Sequence, residues 1–180
     1  MAKGLHKLTV QEATSAMAQR KVIRVTPTIP IGSPTTFASG DTMTETLVEL
    51  PNAVITAGGA SLLRKMAIFN KDNEDCALQV IFFENNSTSA FGTANAAPSI
   101  SDANALSNNP IGTVYIGEAD QQQFGNFYAG TTGGTTDEHT GSIILQAAAG
   151  STSVYFAIVS RDASTLATTT DITLIFHIDY

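Results

Sequence analysis

The hydrophobic pattern of the chain never settles into a helical period. Apolar residues come in short β-rich runs at residues 21–28, 43–50, 62–70, 77–84, 111–117, 142–147, 153–160 and 171–180, separated by Gly, Ala, Ser, Thr and Asn. Runs of this length between turn formers read as strands. The last has the cleanest period of two, with Ile172, Leu174, Phe176 and Ile178 on one face and Thr173, Ile175, His177 and Asp179 on the other. The first set is therefore expected in a core. Val154, Phe156 and Ile158 alternate with Tyr155, Ala157 and Val159 in the same way. No strong helical pattern alternates with the strands, which excludes a doubly wound parallel fold. The expectation is an all-β, antiparallel β-sandwich, jelly-roll-like.

The segments between strands carry their own signals. Pro27, Pro30 and Pro34 make residues 28–40 a loop or edge excursion, because proline lacks the N–H of a central strand. The polar stretch 71–75 reads as the tip of a hairpin joining run 62–70 to run 77–84. Residues 85–110 read as an excursion across the surface, with a helical turn over 101–106 capped by Ser101. Residues 121–128 form an edge strand with Phe124, Phe127 and Tyr128, and 129–140 an exposed Gly- and Thr-rich loop. At the start, Thr9 and Glu12 have capping-box spacing before a helix over 10–19. Its apolar residues are small and few, so packing alone holds it weakly. The chain thus divides into an N-terminal arm, 1–20, ordered by a partner, and a β-sandwich domain, 21–180.

Composition sharpens the picture of the surface. Charged residues make up 14 % of the chain, against about 25 % in an average domain. Such a surface suits subunit contact, where Lys and Glu are costly to desolvate. The net charge of −7 is uneven: residues 1–24 hold Lys3, Lys7, Arg20, Lys21 and Arg24 against Glu12, net +4, while the remainder holds four basic and fifteen acidic side chains, net −11. A basic leading segment on an acidic body seeks an acidic surface. The five cations lack interleaved aromatics and the body repels phosphate, so a protein surface is expected rather than nucleic acid. Lys3, Lys7, Arg20, Lys21 and Arg24 are the candidate attachment residues.

Little in the chain points to chemistry. Cys76 is alone, so no intrachain disulfide forms, and it reads as a small buried hydrophobe. No apolar core of a secretory signal follows the first lysines, and no run approaches the ~18 apolar residues of a membrane span. His6, His139 and His177 are far apart, and Asp137, Glu138 and His139 point to alternate sides of an extended chain. Asp72, Asn73, Glu74 and Asp75 offer oxygens that calcium takes, but the same residues suit a turn, which is the preferred reading. Neither Ser33, Ser61 nor Ser142 sits in a G-x-S-x-G elbow, and residues 130–134 lack the Lys and helix of a phosphate loop. Phe124, Phe127 and Tyr128 would suit a stacking platform for sugars, although strands favour aromatics anyway and no Trp is present. No catalytic residue, metal or cofactor is expected, and the chain is read as not an enzyme.

One further signal lies in the order of phrases. Pro51-Asn52-Ala53-Val54, Gly58-Gly59-Ala60-Ser61-Leu62-Leu63-Arg64, Ile68-Phe69-Asn70-Lys71-Asp72, Ala77-Leu78-Gln79-Val80-Ile81-Phe82-Phe83 and Gly92-Thr93-Ala94-Asn95-Ala96-Ala97-Pro98-Ser99-Ile100-Ser101-Asp102-Ala103 follow one another. Over residues 21–180 the chain resembles small virion structural proteins of tailed phages, especially those of cyanobacteria and marine bacteria. The resemblance implies a capsid cement or decoration protein, a jelly-roll-like trimer on the outside of an HK97-type shell, with the major capsid protein as partner. It brings no catalytic residues. Two rivals stay open: another virion part such as a tail or head–tail protein, and a carbohydrate-binding β-sandwich.

Overall fold

Alternation along the runs becomes two facing sheets. The computed structural model describes residues 20–30, 35–72, 74–132 and 142–180. Lys3, Lys7, His6, the helix expected over 10–19, Pro34 and His139 lie outside the described residues. The strands are β1 (Arg20–Val25), β2 (Thr35–Thr36), β3 (Val48–Leu50), β4 (Ala60–Asn70), β5 (Leu78–Phe83), β6 (Pro110–Ile116), β7 (Gln121–Phe124), β8 (Phe127–Thr131), β9 (Ile143–Gln146), β10 (Val154–Ser160), β11 (Thr165–Leu166) and β12 (Ile172–Asp179). One helix, α1 (Asp102–Asn108), precedes β6. All strand pairs are antiparallel. The larger sheet runs β1-β12-β4-β8-β7 with β9 also on β4, the smaller β3-β10-β5-β6, and β11 pairs β2. The protein is an antiparallel β-sandwich.

Eight of these strands pair in a nested order. The first, β1, lies beside the last, β12; β3 beside β10; β4 beside β9; and β5 beside β6. This nesting overturns the hairpin expected at residues 71–75. β4 and β5 belong to different sheets, and the connection crosses between them. Both strands bury one face in the same core, so their patterns are equally compatible with pairing and with facing each other. The carboxylates of the crossing serve the neighbouring backbone: Asp72 Oδ2 accepts from Ala167 N and Glu74 Oε2 from Thr165 N, at 2.8 and 3.1 Å. They secure the short β11 segment.

The core lies between the sheets. Ile172, Leu174, Phe176 and Ile178 all enter it, as their alternation requires. Phe176 meets Phe156 at 5.3 Å and Phe82 at 6.1 Å between ring centroids, so strands of both sheets share one aromatic cluster. From the 28–40 excursion, Ile29 and Phe37 are fully buried.

The two outer faces differ. That of the smaller sheet is covered by the chain itself: Leu47 and Phe91 pack on Phe83, Ala157 and Val159, burying β10 on both sides. The excursion after β5 provides Phe91 and the segment before β3 provides Leu47. Ser101 caps α1, its hydroxyl accepting from Asn104 N at 3.3 Å, and Asn109 ends it in the left-handed region at φ 54°. The fully buried Asn108 holds the excursion down, accepting from Ser87 Oγ and Thr88 N and donating to Thr88 O. The outer face of the larger sheet has no such cover among the described residues.

Cys76 opens β5's approach and is fully buried, 3.2 Å from Ser164 Oγ. Burial, with Asp162, Asp75 and Glu74 adding to it, pushes the thiol up to about 12 despite that hydrogen bond. A thiol that cannot ionise is no nucleophile. Maleimide is therefore expected to leave the native protein unlabelled and to label it fully in denaturant; rapid native labelling, read by mass spectrometry, would contradict the buried placement.

Candidate functional site: a cationic and aromatic sheet face

Three of the candidate attachment residues are visible, and all lie on β1. Arg20, expected in the arm, is the first residue of this edge strand, opposite Asp179 of β12. Strand alternation then sorts the cations by face. Arg20, Val22 and Arg24 point outward, whereas Lys21 shares the inward side with Ile23 and donates to Asn52 O at the rim, 3.4 Å away. Arg20 and Arg24 thus share the outward side of β1, and Lys21 borders Arg20 from the rim.

It also adds two cations that the sequence pattern hides. His177 lies opposite Lys65, but the next pair is Ile178 with Leu63, so Arg64 is an extra residue in β4. Such a bulge puts neighbours on the same side, and Arg64 and Lys65 are both exposed between buried Leu63 and Met66. Strict alternation would have sent one of them inward. The broken period at 63–66 was the available signal.

Register maps the face row by row. Arg20, Asp179, Leu62 and Ile144 form one cross-strand row; Val22, His177 and Lys65 the next; then Arg24, Ile175, Ala67 and Thr131; then Thr173, Phe69, Ala129 and Gln122. Arg20 Nε lies 3.4 Å from Asp179 Oδ1 and Arg64 Nε 2.8 Å from Oδ2. A groove of about 440 Å³ is lined by these two arginines with Lys21, Val22, Lys65, His177, Ile178 and Asp179. Arg24 and Lys65 have no ion-pair partner among the described residues. Four cations thus share one carboxylate on this face.

The far end of the face is aromatic. The single edge strand expected over 121–128 is instead a hairpin, β7–β8, with β8 running on to Thr131 in the stretch expected as an exposed loop; it turns at Gly125, whose φ of 70° suits a two-residue turn with glycine first. Gln121 ties β7 down across the sheets, its amide bonding both N and O of Cys76. β7 lies tight on β8: a Cβ on Gly130 would fall 2.5 Å from Gln121 Cγ and 2.6 Å from Asp120 O. The outward Phe124 stacks on Phe127 at 5.7 Å, and Phe127 leans on Phe69 at 4.6 Å. Phe124 remains 50 % exposed. Tyr128, opposite Asn70, stands on the other side of β8 and is not part of the stack. A second groove of about 350 Å³ runs beside Phe69, Phe124 and Ile175.

Acidic groups gather elsewhere. Asp75, Glu118 and Asp162 lie near one another, and the charge of Asp75 first, then burial and Asp162, raises the Glu118 carboxyl above its ordinary value. No set of three His, Cys, Asp or Glu among the described residues is placed to hold a metal ion. A raised carboxylate means that the folded state binds the proton more tightly, so its repulsion is relieved as pH falls and present above the carboxylate range. Glu118→Gln is therefore expected to raise the melting temperature slightly at neutral pH, with the gain vanishing in acid. An equal gain at both pH values would mean that repulsion is not the cause.

Comparison of the chain with protein-family models, curated proteins and solved structures finds no match.

Proposed function

We propose that the chain is a non-catalytic virion attachment protein, a capsid cement or decoration protein that grips the outside of an HK97-type shell through the outer face of its larger sheet. The carrying observation is the polarity of the sandwich. An otherwise acidic molecule concentrates Arg20, Arg24, Arg64 and Lys65 on the sheet face that no other described residues cover. Such a face favours an acidic protein surface, here the major capsid protein, by long-range attraction and register. The virion setting rests on the phrase order from Pro51 to Ala103, and the nested pairing of β1 with β12, β3 with β10, β4 with β9 and β5 with β6 supports a jelly-roll reading. A homo-oligomer, in the family's manner a trimer, would bind several capsid subunits at once and gain effective concentration. Lys3, Lys7 and Lys21 would supplement the face from the arm and rim. Another virion part, in the tail or head–tail junction, would use the same face.

The test is co-sedimentation of the full-length protein with cement-free shells of the phage that encodes it. Saturable binding weakened by salt and by charge reversal at Arg64 and Lys65 is expected; binding indifferent to both would overturn the face assignment. The Phe69, Phe127 and Phe124 stack favours one alternative, a carbohydrate-binding module, which glycan binding in solution would reveal.

A further inference from the structure

The outer face of the larger sheet is not uniformly cationic. Its outward residues change from Lys65 to Ala67 to Phe69 along β4, and from His177 to Ile175 to Thr173 along β12. The cationic and apolar grooves therefore follow one another along the face, and Ile175, opposite Arg24, lines the aromatic groove. Successive outward residues of a strand are about 7 Å apart. The same spacing separates same-side residues of any extended chain laid over the sheet. A partner segment with a carboxylate at one position and a bulky apolar side chain two residues on would match both grooves together.

We propose that the face seats an extended acidic protein segment of this kind. Its carboxylate meets Lys65 in the cationic groove, with Arg24 one row further on beside Ile175, neither having an ion-pair partner among the described residues, and its apolar side chain enters the groove beside Phe69, Phe124 and Ile175. This rests on the attachment reading and adds the chemistry of the partner. Charge complementarity selects the occupant: at the cationic end four cations face outward with only the Asp179 carboxylate among the described residues, on a chain of net charge −7, while Asp120 borders the aromatic groove and leaves that end to the apolar side chain. A nucleic acid would meet the same cations, but its continuous polyanion would also face the acidic body. The division of labour follows. The cations set salt dependence and orientation, whereas the apolar anchor sets the residence time, as a buried side chain at an interface centre does.

The experiment is an NMR titration of the full-length protein with three probes: a peptide repeating Glu-Thr-Leu-Thr, the same peptide with Thr for every Leu, and a short oligothymidylate. The Leu peptide is expected to shift signals of Lys65, Ala67, Phe69 and Ile175 and to bind about tenfold tighter than the Leu-free peptide, a difference of one decade in Kd. Phe124→Ser should erase that advantage while leaving the Leu-free peptide unchanged. Lys65→Glu should weaken both peptides. Both substitutions are at exposed positions, and an unchanged spectrum elsewhere verifies the fold. Equal binding of the two peptides, shifts mapping to another surface, or no binding of either would overturn the proposal. So would an oligothymidylate that binds tighter than the Leu peptide, which would assign the face to single-stranded nucleic acid. Shell co-sedimentation separates the two readings: shells that still bind in a manner weakened by charge reversal at Arg64 and Lys65 while the peptides fail would remove the segment proposal alone, and failure of both would remove the attachment role as well.

Discussion

Phe176→Ala is expected to destabilise the protein by about 3–5 kcal/mol, the range for deleting a fully buried phenylalanine. Phe176 is 0 % exposed and its ring lies in the cluster with Phe82 and Phe156, so a void left there has walls on both sheets. Neither sheet can move inward to fill it without disturbing the pairing of β12 with β1 and β4. The loss is large beside the roughly 5–15 kcal/mol of a whole domain. A fall in melting temperature of roughly 6–20 °C should accompany it for a chain of this size. If Phe176→Ala melted like the parent, β12 would not be a core strand and the sandwich itself would be in question.

Asn108→Ala is expected to have the second largest effect, and a different signature. The side chain is fully buried and satisfies Thr88 N–H and Thr88 O. Its removal takes the partner from two part-buried backbone groups, at about 1–3 kcal/mol for the pair, below the full cost of burying them unpaired. The loss falls on the excursion and not on the central core. Loosening it would uncover Phe83, Phe91 and Val159, which it shields. The expected result is a moderately lower urea midpoint together with increased binding of a hydrophobic dye before global unfolding. A single cooperative loss without dye binding would show that the excursion and the sandwich unfold as one.

Strand existence was legible in the chain because the signal is local. Each of the eight runs holds a strand, and the alternation in 172–178 names its buried residues one by one. Ser101 announced its helix for the same reason, since a cap acts within three residues. Cys76 read correctly as a buried hydrophobe from its apolar neighbours.

Where the strands go was not legible, and neither was the candidate face. Residues 71–75 look like a hairpin tip whether the two strands pair or lie across a core from each other, because both arrangements bury every second residue. Only the nested pairing, which brings together strands as distant as β1 and β12, decides between them. The cationic face has the same origin. Arg20 and Arg24 are near Arg64 and Lys65 only because β12 joins β1 to β4, and Arg64 faces outward with Lys65 only because of a bulge opposite His177 and Ile178. The sequence by itself determined an acidic, charge-poor β-sandwich and which residues of its clearest strands are buried, since propensity and periodicity act between neighbours. Tertiary structure alone decided which strands meet, which sheet face the chain covers and which cations stand together, since those depend on contacts between residues far apart along the chain.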